Sequence, residues 1–284
     1  MSYQANKTLP YRVEFKRQFF RKRTFFAYLF VASLPIIVAA AVKLGPSGHS
    51  GGPTRLGSGT LDLIGLATKG ASNFTVTMFY FAVPFLLVTV IALFAGDTVA
   101  SEASWSTLRY LLASPIPRTR LLIQKMLVSL TLAGFAVLAL PIISWVVGFV
   151  VFGNAPLQSP LGLSFEPSVG IQRIIYITIY ILFALLFIAG LAFYASVRTD
   201  APLGAVGVAV GLVILMNILD AISALGTLRN FLPVHYSYSW FDLLNGNIDW
   251  NNMIHGASYS VIWFTWLFAF ATVRFNKKIG RAHV

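Results

Sequence analysis

The chain has 284 residues, 57% of them apolar and 11% charged, with a mean hydropathy of +0.76 and a formal net charge of +12. An ordinary soluble domain is charged at roughly 25% of its positions, so a single water-soluble core cannot hide this much apolar surface, and the composition points to a polytopic membrane protein. The absence of cysteine excludes a disulfide framework and thiolate chemistry. In such a chain the excess of Lys and Arg reports topology and anionic headgroups rather than nucleic acid.

Residues 1–23 form a basic arm carrying Lys7, Arg12, Lys16, Arg17, Arg21, Lys22 and Arg23. Tyr11, Phe15 and Phe19 are spaced four apart and share one helical face. A basic helix with an aromatic face is expected to lie along the headgroups; a plain stop-transfer charge cluster is the alternative. Six apolar runs follow, each long enough to cross a core of ~30 Å as a helix. They are Thr24–Leu44, Phe74–Ala95, Leu121–Phe152, Ile171–Val197, Pro202–Leu225 and Ala257–Val273. No clear small-residue cleavage site follows the first, so it does not read as a signal peptide. Pro35, Pro84 and Pro141 lie inside runs and predict kinks. The expected fold is therefore all-α: a single transmembrane domain over 1–284, with the arm, a six-helix region over 24–273 and a tail over 274–284.

An even number of spans puts both termini on one side. That side collects 16 of the Lys and Arg residues and the other side 5, whereas the acids divide 4 against 5. The positive-inside rule then places both termini in the cytoplasm. Outside the membrane, Gly45–Ser58 is Gly/Ser-rich and reads as a flexible loop. Arg229–Asn252 is aromatic and half apolar, and predicts short helices dipping into the outer membrane boundary.

The chemistry that needs dedicated motifs is missing. There is no GxxxxGK[ST] phosphate loop and no HExxH, the four histidines are scattered, and no cofactor or metal is expected. The second, third, fourth and sixth runs carry no charge in their central turns, unlike an ion-coupled carrier. Asn217 and Asp220 are one turn apart near the outer end of the fifth run. They read as a solvated helix end, or as an external gate or ion pair in which Arg229 would join Asp220. Gly207 and Gly211 have GxxxG spacing, suited to helix packing within the chain or to a subunit interface.

Between the second and third runs lies the polar stretch Asp97–Lys125. Glu102–Ala113 reads as a short helix too polar to span, with Trp105, Leu108, Leu111 and Leu112 on an apolar face. Ser114-Pro115-Ile116-Pro117 ends it. A short stiff element tied at both ends to membrane helices is suited to transmitting force. The run Glu102…Ser106-Thr107-Leu108…Leu111-Leu112…Pro115-Ile116-Pro117-Arg118…Leu121-Leu122…Lys125 resembles the cytoplasmic segment of ABC-2 type transporter permeases. Ser106 stands where that family usually has Gly, and Pro117 where Ser is common. Phe231–Gly246 is also similar to the Pro-aromatic segment before the last span of those permeases.

The resemblance implies a permease subunit, not itself an enzyme, of an exporter driven by ATP and Mg bound on a separate ATPase. Two permeases, identical or sister chains, would pair with two ATPases. Glu102–Ala113 would be the coupling helix, docking through Trp105, Leu108, Tyr110 and Leu111, with Glu102, Arg109 and Arg118 as polar contacts. Trp105 as a simple interfacial anchor is the alternative. The expected location is a bacterial or archaeal plasma membrane, and the expected cargo hydrophobic or amphipathic. The competing classes are a membrane-embedded enzyme or assembly factor, and an ion-coupled secondary carrier.

Overall fold

A computed structural model describes residues 10–44, 54–55, 60–61, 63–104, 117–160 and 162–280. The arm forms α1 (Tyr11–Phe19) and leads through a tight turn into α2 (Lys22–Leu44). A two-residue hairpin pairs β1 (Thr54–Arg55) with β2 (Thr60–Leu61), ahead of the short α3 (Leu63–Ala67). The long α4 (Ala71–Ser104) and α5 (Arg118–Phe152) flank residues 105–116. A second small hairpin, β3 (Leu157–Gln158) with β4 (Ser164–Phe165), precedes α6 (Pro167–Arg198). Then come α7 (Pro202–Ala221), three 3-10 segments (Ser223–Phe231, Pro233–Tyr236, Ser239–Leu244) and α8 (Asn251–Gly280). Among the described residues six helices, α2 and α4–α8, are long and apolar enough to cross a membrane.

Two of the six are central. In their most apolar stretches α4 is 67% and α6 61% buried, whereas α2, α5, α7 and α8 lie between 17% and 33%. The outer helices therefore bury one stripe and leave the rest apolar and exposed, as lipid requires. On α2 the buried stripe is Ala27, Val31, Pro35 and Ala39, at a strict spacing of four. Helices approach closely where side chains are small: a Cβ at Gly190 of α6 would come within 3.1 Å of Phe264 Cα on α8.

Three predicted prolines behave differently. Pro35 and Pro141 sit inside unbroken helices. Pro84 sits in a π-turn, Ala82–Leu87, which takes up its missing donor without ending α4. α6 is interrupted at Leu185, and the hydroxyl of Ser260 on α8 donates to the Ala184 carbonyl at 2.8 Å, satisfying backbone beside the break.

The second span is longer than the apolar run suggests. α4 continues through Gly96–Ser104 because its polar residues are enclosed by neighbours instead of water. Val99 and Ala100 N–H groups donate to Ser196 Oγ on α6 at 3.1 and 2.9 Å. Glu102 therefore lies in the last described turn of α4, and the rest of the expected Glu102–Ala113 helix from residue 105 on lies outside the described residues. Gly207 and Gly211 also differ from the expectation of packing within the chain. A Cβ at either would meet none of the described residues within 4 Å, because α7 turns Ala205, Ala209 and Val213 inward and leaves the glycine face open.

At the end opposite α1, the 3-10 segments form a cap. Trp240 is fully buried and stacks on Phe241 with ring centroids 4.1 Å apart. Arg173 of α6 donates to the Leu243 carbonyl and, at 2.8 Å, to that of Asn245; Tyr180 Oη donates to the Tyr236 carbonyl at 2.5 Å. Irregular backbone at this depth thus finds its partners in the α6 side chains.

Candidate functional site

The basic end of the bundle gathers charges that are far apart in sequence. α1 places Glu14 and Gln18 on one face, both buried. The last turn of α4 adds Glu102, and α5 adds Lys125 two turns in; both side chains are 1% exposed. Lys125 Nζ donates to Glu102 Oε1 at 2.5 Å and to Glu14 Oε1 at 3.3 Å. Arg17 donates to Glu14 Oε1 at 2.8 Å and also to Glu102 Oε1, and Gln18 Nε2 donates to Glu14 Oε1 at 2.9 Å. A second group adjoins it. Asp97 of α4 pairs with Arg23 and lies 3.6 Å from Arg21. Gln18 bridges the two groups by accepting from Arg23 Nη2 at 2.6 Å.

Charges held this far from water are tolerated only when paired. Burial pushes the Glu14 pKa up, but Lys125, the Gln18 hydrogen bond and Arg17 together outweigh it and bring it to about 2. For Arg17, burial works against the charge, and Glu14 and Glu102 outweigh it, so its pKa rises. Arg21 goes the other way: burial and the nearby Arg17 lower it despite Glu14 and Glu102. The knot is a joint, in which both feet of the 105–116 segment, on α4 and α5, are pinned to each other and to the arm.

The arm forms a short helix, as expected, and its aromatic face meets a neighbouring helix. Tyr11 Oη shares a 2.6 Å hydrogen bond with Thr131, and Phe15 meets the Phe135 ring edge-on, so the aromatic row leans on α5. Glu102, expected as a polar contact to a partner, turns its carboxylate onto Lys125 and Arg17. Trp105, Leu108, Arg109, Tyr110 and Leu111 lie outside the described residues; Arg118 is the first residue of α5.

At the opposite end, Asp220 Oδ1 accepts from Arg229 Nε at 3.4 Å and lies 2.6 Å from His235 Nδ1. The end of α7 is thus tied to two of the 3-10 segments. Asn217 donates to the Val213 carbonyl at 2.9 Å. It also borders a small enclosed space beside Pro84 and Leu185, where α4 and α6 both depart from regular helix.

Glu14, Arg17, Gln18, Asp97 and Lys125 were not singled out by sequence as partners. One signal was available: Glu14 is the arm's only acid, set three residues before Arg17 and four before Gln18. The model of a family described as "Protein of unknown function (DUF2705)" matches residues 61–279, and the chain belongs to that family. No curated protein matches it. The matched region contains Asp97, Glu102 and Lys125, while the arm that completes the knot precedes it.

Proposed function

We propose that the chain is the transmembrane permease subunit of an ATP-driven exporter of the ABC-2 type. It moves a hydrophobic or amphipathic cargo across the plasma membrane of a bacterium or archaeon, with both chain ends cytoplasmic. ATP is hydrolysed on a separate subunit, two copies of which dock on the Glu102–Ala113 segments of two permeases. The observation that carries this reading is the Glu102–Lys125 pair with Glu14 and Arg17 inserted into it. A push delivered to residues 105–116 enters α4, α5 and the arm through one rigid joint. The open glycine face of α7 supports a second permease as neighbour.

Co-expression with ATPase subunits and purification through a tag on this chain tests the reading. An ATPase should elute with the parent and be lost, with its stimulated turnover, from Trp105→Ala/Leu108→Ala. A parent that retains no ATPase, or a double variant that retains it equally, sinks the assignment.

A further inference from the structure

Between α2 and α4 a groove of about 640 Å³ opens sideways from the bundle. Its walls are Phe26 and Phe30 of α2 and Leu93 of α4, and it runs from Arg23 at the basic end to Ser33 and Thr89 at depth. Ten helical residues separate Arg23 from Ser33, about 15 Å at 1.5 Å per residue, which is the half-thickness of a ~30 Å hydrocarbon core. The groove therefore has the length of one leaflet, and its cation stands at headgroup height.

Two polar atoms along it are unused. Arg23 pairs with Asp97 and Gln18 through its terminal nitrogens, but its Nε is buried without a partner. Thr89 Oγ1 is likewise buried and unpartnered. The charge balance at the mouth also favours an anion. Among the described residues Arg17, Arg21, Arg23 and Lys125 gather around three acids, Glu14, Asp97 and Glu102, and the exposed Lys22 lies beside them.

We propose that this groove is a binding site for one anionic phospholipid of the leaflet on the basic side. The phosphate sits at Arg23, and an acyl chain lies against Phe26, Phe30 and Leu93 with its deeper portion reaching Thr89. Charge and depth together select the occupant: a zwitterionic lipid would match the walls but would leave the cationic excess unanswered. The site is independent of whether an ATPase docks on the same chain.

The test is native mass spectrometry of the full chain released from nanodiscs containing equal phosphatidylglycerol and phosphatidylcholine. The parent should retain one phosphatidylglycerol in preference to phosphatidylcholine by about fivefold, the value of one basic contact. Arg23→Gln should bring the two lipids to parity, while Lys22→Gln, an equal change of charge outside the groove, should leave the preference intact. Ser33→Phe, which fills the deep end without touching the knot, should expel the lipid and keeps the test decisive if Arg23→Gln does not fold. Equal retention of both lipids by the parent overturns the proposal, as does an equal loss in Lys22→Gln or full retention in Ser33→Phe. A lipid-free dimer that Ser33→Phe converts to monomer also overturns it, and assigns the groove to a second copy of the chain.

Discussion

Between about pH 2 and the ordinary carboxylate value of 4.5, Glu14 stays ionised in the folded chain while an undocked arm would take up a proton. A depressed pKa stabilises the docked state above the undocked value and loses that contribution as pH falls through the folded one. The shift corresponds to something on the order of 3 kcal/mol. Arm docking is therefore expected to be firm above pH 4.5 and to weaken progressively toward pH 2. The chain has no cysteine, so Val13→Cys, at a position 58% exposed, takes a single spin label. Its spectrum should be immobile at neutral pH and mobile near the acid limit. Glu14→Gln should be mobile throughout; a label indifferent to pH in the parent would refute the role given to Glu14. The sequence showed this acid only as an exception to the arm's charge. What it pairs with was not legible, because Lys125 lies 111 residues away and neither helical periodicity nor charge counting reaches that far.

The six spans were legible as elements because runs of apolar residues far exceed the length of a strand, and lipid admits no other open structure. Their ends were less so. The apolar run of the second span stops at Ala95, yet α4 continues to Ser104, since Ser196, Lys125 and the arm supply the partners that water would otherwise provide. The same limit hid the π-turn at Pro84: sequence shows the missing donor, but not whether a helix bends or widens around it. Helix contacts offer a sharper test. A Cβ at Gly256 of α8 would fall 2.5 Å from Tyr180 Oη and 2.6 Å from Tyr236 Cβ, where α6, α8 and the 3-10 cap converge. The Tyr180 hydroxyl is committed to the Tyr236 carbonyl and cannot retreat without giving up that bond. Gly256→Ala should cost about 1–3 kcal/mol, the usual range for overpacking, read as a lower melting midpoint of the detergent-solubilised chain. An unchanged midpoint would mean that the cap is loosely seated.

For the molecule as a whole, the arrangement is two buried helices ringed by four that keep most of their surface for lipid or for a neighbour. α7 and α8 each bury only 17% of their most apolar stretch, and α7 carries the open glycine face. Gly207→Leu/Gly211→Leu fills a face on which none of the described residues rests, so folding stability should stay within about 0.5 kcal/mol, as for changes away from packed sites. If a second permease packs there, cross-linking in liposomes should show association weakened tenfold or more, about 1.4 kcal/mol. Unaltered association would place the partner elsewhere. The ionic knot also has a consequence for the order of events at birth. Glu14 and Arg17 leave the ribosome early, and Lys125 follows 111 residues later. At about 5–20 residues per second that is an interval of roughly 6–22 s. For most of it, until Asp97 and Glu102 are made, the basic cluster ahead of α2 stands without those two acids. The cluster thus carries nearly its full positive charge while the first helix is made, and the same residues become internal fasteners only later.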